Sequence, residues 1–373
     1  MLADIRNRKS LAFYSAMPNS IDLNAVSNGV NSAVAASVVA RVGRNVYLYN
    51  QEYSLIMKNL NLERSRLATK VTQGLERDAS YQGARGDGVS LAWDYEKADI
   101  QMGGKGSANW NRSERNEILK RGRVRGAEGH HQKNVADHLN EQANPDNIKF
   151  YKNKEEHLQK GHQGKWDNET DAPFIDKDKM LKNTNRRRVV KQELSGLGKA
   201  AALGLGIGFS LSFIAELAKS DLSAEAVEDA LVKSSMCGVK SVVITGTSYG
   251  VGLMTSNLLQ TAGVDMSSQA GQLLNGSVTG VLSIVLVSTC QLVNLQLEGE
   301  LNSETAGSIG GSAAYSVSIL AVSMIAQSWI GGPIGLIVSS TAGLAMYTAS
   351  IAKTWREKQL EEHLREYAIE QYR

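Results

Sequence analysis

Five of the six histidines, His130, His131, His138, His157 and His162, fall within one short stretch of a 373-residue chain. Histidines scattered through a core do not cluster so tightly. Neutral imidazoles, together with carboxylates, are the side chains that hold a divalent ion while leaving a coordination position open. Hydrolysis of a phosphodiester through one metal needs such ligands, an open position for a phosphate oxygen, and a nearby base to activate water. A histidine base suits neutral pH, because its unperturbed pKa is about 6.5. His130 and His131 are adjacent, so on a strand their side chains point to opposite faces. One can ligate while the other works as the base.

His157 and His162 belong to the next element. A regular helix puts positions i and i+5 too far round to share an ion, so both can bind only if the backbone unwinds at Lys160-Gly161. The flanking sequence supplies the frame. Ser113 to Lys120 reads as a short helix capped by Ser113, and RGRVRGAEGHH as a basic turn passing into a strand. NVADHLNEQANPD is a polar loop with a turn at Asn144-Pro145-Asp146, and Ile148-Lys149-Phe150-Tyr151 alternates like a second strand. Asn153 then caps a helix through Glu155, His157 and Leu158. Asn147, at the start of the second strand, can bond across the hairpin and orient His131.

This order of strand, loop, strand and helix, with RGAEGHH, NPDNIKF and EEHLQKGHQGKW, resembles the HNH nucleases of the ββα-metal fold. The similar branch has a Glu-x-His-His first strand and includes colicin-type DNases and the GHH-type nuclease domains of bacterial polymorphic toxins. The resemblance spans residues 121–170 and rests on Arg125, Glu128, Gly129, His130, His131, Asn147, His157 and His162. It implies an endonuclease with one divalent ion (Mg²⁺, Mn²⁺, Ni²⁺ or Zn²⁺) held by His130, His157 and His162. It also implies His131 as general base, Asn147 as its orienting partner, and Glu128 with Arg125 (or Arg123) organising the base and contacting phosphate. The last pair is His-x4-His here, where that branch usually has His-x3-His, and Glu156 stands as the alternative ligand. By the same resemblance the substrate is nucleic acid, DNA before RNA, the setting is bacterial conflict, and an immunity protein is an expected partner.

Other residues of the window have plainer readings. His138 reads as a solvated loop histidine. Trp166 reads as packing against the helix, with stacking on a sugar or base as the alternative. Arg121, Arg123, Arg125, Lys133 and Lys149 can neutralise phosphates, which would make binding salt-sensitive.

Charge separates this basic half from the remainder of the chain. Through residue 194 there are 32 Lys+Arg against 24 Asp+Glu, and beyond it 9 against 14. Residues 241–264, 266–297 and 305–352 contain no Asp, Glu, Lys or Arg. At about 20 residues per span they allow one, one and two bilayer crossings. Gly-x3-Gly pairs at Gly204/Gly208, Gly246/Gly250, Gly276/Gly280, Gly307/Gly311 and Gly331/Gly335 suit close helix packing in membranes. Apolar helices are expected at 197–218, 238–262, 272–297, 308–328 and 330–352, with an amphipathic one at 223–236 capped by Ser223. Leu222-Ser223-Ala224-Glu225 and Leu301-Asn302-Ser303-Glu304 hint at a duplicated helical unit.

The expected fold is therefore mainly α, with a small α+β HNH domain and a C-terminal, membrane-embedded bundle of apolar helices. Its divisions are a helical and irregular region 1–112, in which 80–112 reads as loops and short strands; the HNH domain 113–170; a basic connector 171–195; the apolar domain 196–352; and a charged tail helix 353–373. The run Arg186-Arg187-Arg188 with Lys191, just before the first apolar helix, puts the nuclease on the cytoplasmic side of a membrane; the alternative is a cytoplasmic protein. A homo-oligomer through the apolar domain is a further expected partnership. Cys237 and Cys290 are too few for a disulfide scaffold or a thiolate metal site. Early charges and the lack of a long apolar run at the start argue against a cleaved signal peptide. The rival function is a membrane-acting pore former or scaffold whose histidines bind metal for structure alone.

Overall fold

Apolar residues at three- and four-residue spacing from Ile21 onward produce one long helix, α1 (Leu23–Arg77). The structure is a computed structural model describing residues 23–330 apart from 167 and 220–222. The expected tail helix 353–373, the apolar helix beyond 330, the Gly331/Gly335 pair and Leu222 of the internal repeat lie outside the described residues. The chain is mostly helical with one two-stranded sheet. It divides into a unit Leu48–Gln192 and a unit made of Met1–Tyr47 with Glu193–Arg373.

In the unit Leu48–Gln192, α1 is followed by α2 (Arg85–Gln101), α3 (Arg112–Arg121), β1 (Glu128–His131) and β2 (Ile148–Tyr151). The single turn α4 (Lys154–Glu156) then runs into a π-helical turn, His157–Gly161, and the unit ends in the first part of α5 (Lys177–Lys219). The strands pair antiparallel, with Glu128 opposite Tyr151 and His131 opposite Ile148. Asn153 caps α4 as expected, accepting from Glu156 N at 2.7 Å. The cap of α3 is Asn111 rather than Ser113: its side chain accepts from Glu114 N, while the Glu114 carboxylate accepts from Asn111 N.

Helix α2 occupies the stretch expected to be loops and short strands. Its buried face carries Leu91, Ala92, Trp93, Tyr95, Ala98 and Ile100 but also Glu96 and Asp99, while Ser90 and Asp94 are exposed. It lies between two cores, and the two buried carboxylates interrupt the apolar stripe that reveals a helix in sequence. One core joins Leu91, Tyr95 and Ala98 to Leu60, Leu67 and Val71 of α1 and Leu181 of α5. The other joins Trp93 to Trp110, Ile118 and the underside of the sheet at Ile148 and Phe150, with the Trp93 and Phe150 rings 3.9 Å apart.

Two carboxylates of α2 are buried with their partners. Glu96 accepts from Trp110 Nε1 at 2.7 Å and Ser107 N at 2.8 Å, and lies 3.6 Å from Lys177 Nζ, both side chains fully enclosed. Asp99 accepts from Gly106 N and from Thr184 Oγ1. Burial pushes the Asp99 carboxyl up and the Lys177 ammonium down. These bonds tie the loop before α3 and the start of α5 to one helix. The segment expected to be a connector is thus helical from Lys177 onward.

In the other unit, the first part of α1 is buried along Val26, Val30, Val34, Ala35, Val39 and Val42. Around it run α5 from Glu193, α6 (Ala224–Thr261), α7 (Gln269–Glu298) and α8 (Ser303–Ile330). The helices expected at 223–236 and 238–262 are one, capped by Ser223. Ala33 and Ala36 of α1 pack on Ile284, Leu320 and Met324. A Cβ on Gly204 or Gly208 would strike Thr245 Oγ1 at 2.3 Å or Ser241 Oγ at 2.1 Å, and one on Gly276 would strike Met324 Cε at 2.7 Å. Gly250, Gly307 and Gly311 face open space instead. Polar residues share the interior: Asn31, Ser32, Ser241, Thr245, Ser248, Asn275, Thr279 and Ser283 are buried, while Met254, Leu258 and Leu297 are mostly exposed. Helix α7 and the Ser303–Ile325 part of α8 are long and apolar enough to cross a membrane, and only 22% and 28% of their most apolar windows are buried.

Removing one partner of a buried ion pair strands the other charge. Glu96→Ala is expected to destabilise the unit Leu48–Gln192 by ~3–5 kcal/mol. The double variant Glu96→Gln, Lys177→Met should lose much less. Denaturant unfolding of the full chain, followed by tryptophan fluorescence, checks both.

Candidate metal centre

The antiparallel register places Glu128 and His130 on one face of β1 and His131 on the other. His130, His157 and His162 then converge, with one ligand atom from each lying within 4.8 Å of the others. His130 Nδ1 is 3.0 Å from His157 Nε2, and the His130 ring stands edge-on to His162 with centroids 4.8 Å apart. His162 Nδ1 is buried without a hydrogen-bond partner.

The His-x4-His spacing works because the helix widens. After Glu156 the chain takes a π-helical turn, closed by His162 N donating to His157 O at 3.2 Å, an i to i+5 bond. That turn brings the fifth residue back to the face of the first, which a regular helix cannot do. Gly161 is required inside it: a Cβ there would lie 2.9 Å from His157 Cδ2 and 3.2 Å from His130 Nδ1. Glu156 is occupied elsewhere, accepting from Lys152 N and Lys160 Nζ, and stands outside the cluster.

Glu128 serves a ligand candidate. Its Oε2 accepts from His157 Nδ1 at 2.6 Å, which fixes that proton on Nδ1 and leaves Nε2 to point at the cluster. Tyr151 stacks on His157 at 5.6 Å. Burial, helped by the neighbouring His157 and His162, pushes the His130 imidazole down to about 3, and burial also lowers His162. Both shifts favour the neutral imidazole that a bound cation requires.

His131 is held separately. Its Nε2 lies 3.1 Å from the Gln142 carbonyl, which can only accept, so Nε2 carries the proton and Nδ1 the lone pair. Nδ1 is buried and has no partner. Burial pushes this imidazole down to about 4, with the Arg85 charge adding to the effect. Asn147 does not touch the ring. It is fully buried and clamps the peptide after β1, accepting from Lys133 N at 2.7 Å and donating to Lys133 O at 3.0 Å.

The remaining expected residues are peripheral. Arg125 and Arg123 are exposed, and Arg125 N donates to Glu117. His138 opens a 3₁₀ turn outside the cluster. Trp166 contacts the rings of His157 and His162 at 5.4 and 5.1 Å.

Two contributors carry no signal in the sequence. Gln142 orients His131 through a carbonyl that any residue possesses. Its enclosed side chain meanwhile joins Ala84 N, Tyr81 O and Leu139 O. Arg85, at the start of α2, bears on both His131 and His162.

Residues 75–152 match the family described as the GHH signature containing HNH/Endo VII superfamily nuclease toxin. That segment is similar to nuclease-toxin domains of the GHH kind. The match begins before α2 and ends at Lys152, so it takes in the hairpin but neither His157 nor His162. No curated protein and no solved structure matches the chain.

Because Glu128 sets the orientation of His157, Glu128→Gln is expected to weaken binding of a divalent ion by roughly 10–100-fold without unfolding the unit. Competition titration against a chromogenic chelator, alongside a thermal melt, measures both.

Proposed function

We propose that the unit Leu48–Gln192 is a metal-dependent endonuclease that hydrolyses phosphodiester bonds, DNA before RNA. The observation that carries this is the pairing of two imidazole environments: three converging nitrogens on one side of β1, and on the other a lone His131 Nδ1 whose opposite nitrogen is already committed. A divalent ion bound by His130, His157 and His162 would supply Lewis acidity to the phosphate and the leaving oxygen. An all-imidazole donor set suits Zn²⁺ or Ni²⁺ better than Mg²⁺, which prefers oxygen.

In this reading His131 Nδ1 accepts the proton of the attacking water while the Gln142 carbonyl holds the imidazole in place. The imidazole is neutral and ready to accept, and a phosphate anion beside it raises its proton affinity. Asn147 acts on the loop behind β1 instead of on the ring. Glu128 orients His157, and Arg85, Lys133 and Lys149 offer positive charge to the phosphate backbone.

The second unit is proposed as a membrane anchor. Two apolar helices lie largely unburied, and hydroxyls and amides share the interior with the valines of α1. The basic run Arg186–Arg188 supports a nuclease on the cytoplasmic side. The nuclease-toxin family supports a role in bacterial conflict, with an immunity protein as partner. The rival pore-forming reading draws on the Asn275 amide, Ser32, Ser248 and Thr279, which are buried in the bundle without partners.

Full-length protein incubated with supercoiled plasmid in Zn²⁺, Ni²⁺, Mn²⁺ or Mg²⁺ is expected to nick it, and EDTA to stop it. His131→Ala should lower the rate by about 10²–10⁴-fold while keeping metal affinity. Undiminished cleavage by that variant would remove His131 as the base, and no cleavage with any ion would favour the pore-forming reading. On alkaline carbonate washing, the chain should stay with the membrane pellet; release into the wash would exclude the anchor.

A further inference from the structure

Trp166 differs from every other ring that touches the histidine cluster among the described residues. Tyr151, His130 and His157 are 4%, 4% and 9% exposed, whereas Trp166 keeps 48% of its surface in solvent. It stands edge-on to His157 at 5.4 Å and tilted to His162 at 5.1 Å, at the rim of the cluster. Packing alone would enclose so large an apolar ring, since leaving it half out forfeits much of the gain from burying it.

The chain is folded back to put it there. Gln163 and Gly164 both adopt left-handed backbone, φ 52° and 88°, a conformation uncommon for a residue such as glutamine. The reversal is fastened by Gly164 N donating to Leu158 O, Lys165 N to His162 O, and Asn168 Nδ2 to His162 O at 2.7 Å. Lys154 Nζ sits over one face of the indole, 5.7 Å from its centroid, so a base would stack on the other face with an ammonium at hand for its phosphate.

We propose that Trp166 is a stacking platform for a nucleobase next to the phosphate under attack, and that the strand is locally unpaired there. This rests on the nuclease reading above and narrows its substrate. In a duplex the faces of the bases are covered by their neighbours, so a ring at the rim of the catalytic cluster can stack only on a base that has left the helix. A nuclease built this way acts on single-stranded, gapped or distorted nucleic acid in preference to a relaxed duplex.

The test uses the full chain in mild detergent with EDTA, so that binding is read without cleavage. Fluorescence anisotropy compares a labelled single-stranded oligonucleotide with the same sequence as a duplex. Wild type, His131→Ala and Trp166→Phe are expected to bind the single strand more tightly than the duplex. Trp166→Leu should lose about tenfold on the single strand, in line with the ~1–3 kcal/mol that a stacked base contributes, and nothing on the duplex. Unaltered single-strand binding by Trp166→Leu would overturn the platform, as would an equal loss in Trp166→Phe, which would mark a packing role. Binding of neither form by the wild type would overturn the platform, and together with no plasmid nicking in any ion it would remove the nuclease reading as well. A wild type that prefers duplex yet nicks plasmid in a His131-dependent way would remove the platform alone.

Discussion

Burial pushes the imidazoles of His130, His131 and His162 toward the uncharged form, and the unit around them is organised to make that tolerable. Each ring nitrogen inside must either find a fixed partner or wait for a ligand. Glu128 and the Gln142 carbonyl provide two fixed partners, and they assign the protons: Nδ1 on His157 and Nε2 on His131. What is left over is a set of lone pairs aimed at two separate points. Both partners are in turn set by the hairpin register and by the loop that Asn147 and Gln142 hold closed, so the chemistry depends on a network of backbone contacts as much as on the histidines.

That network is anchored from beneath. Helix α2 packs under the sheet through Trp93 and Phe150, while its carboxylates grip the loop before α3 and the start of α5. Asp146, one residue before Asn147, accepts from Lys177 N and pairs with Arg64 of α1. The entry to β2 is thus tied to two long helices, and a loop rich in polar residues acquires the rigidity of a core. The other unit mixes buried hydroxyls and amides with the valine stripe of α1, and leaves many large aliphatic side chains exposed.

The hairpin, the Asn153 cap and the convergence of three histidines are legible in the sequence because each leaves a local signature: alternation, a capping residue, and clustered ligating side chains. Helix α2 is not, because Glu96 and Asp99 stand on its buried face among the apolar residues, and Gly86 and Gly88 dilute the pattern further. The limits of the unit are hidden for a related reason. Residues 48–112 and 177–192 hold none of the clustered histidines, yet they supply most of its core. Asn147 reads from sequence as a partner of His131 because an amide at the start of the facing strand invites a direct role. The geometry gives that task to a main-chain carbonyl, which no side-chain pattern can announce.

The π-helical turn at His157–Gly161 has a meaning for how such sites change over time. A π turn is what an α-helix becomes when it accepts one extra residue without shifting its two ends. The spacing between two ligands is therefore a negotiable quantity, because an insertion can be absorbed as a bulge in the helix wall while the flanking imidazoles keep their aim. A site of this kind can drift in length and still hold its geometry, and a strict letter count along the chain is a poorer guide to its descent than the face on which its ligands reappear.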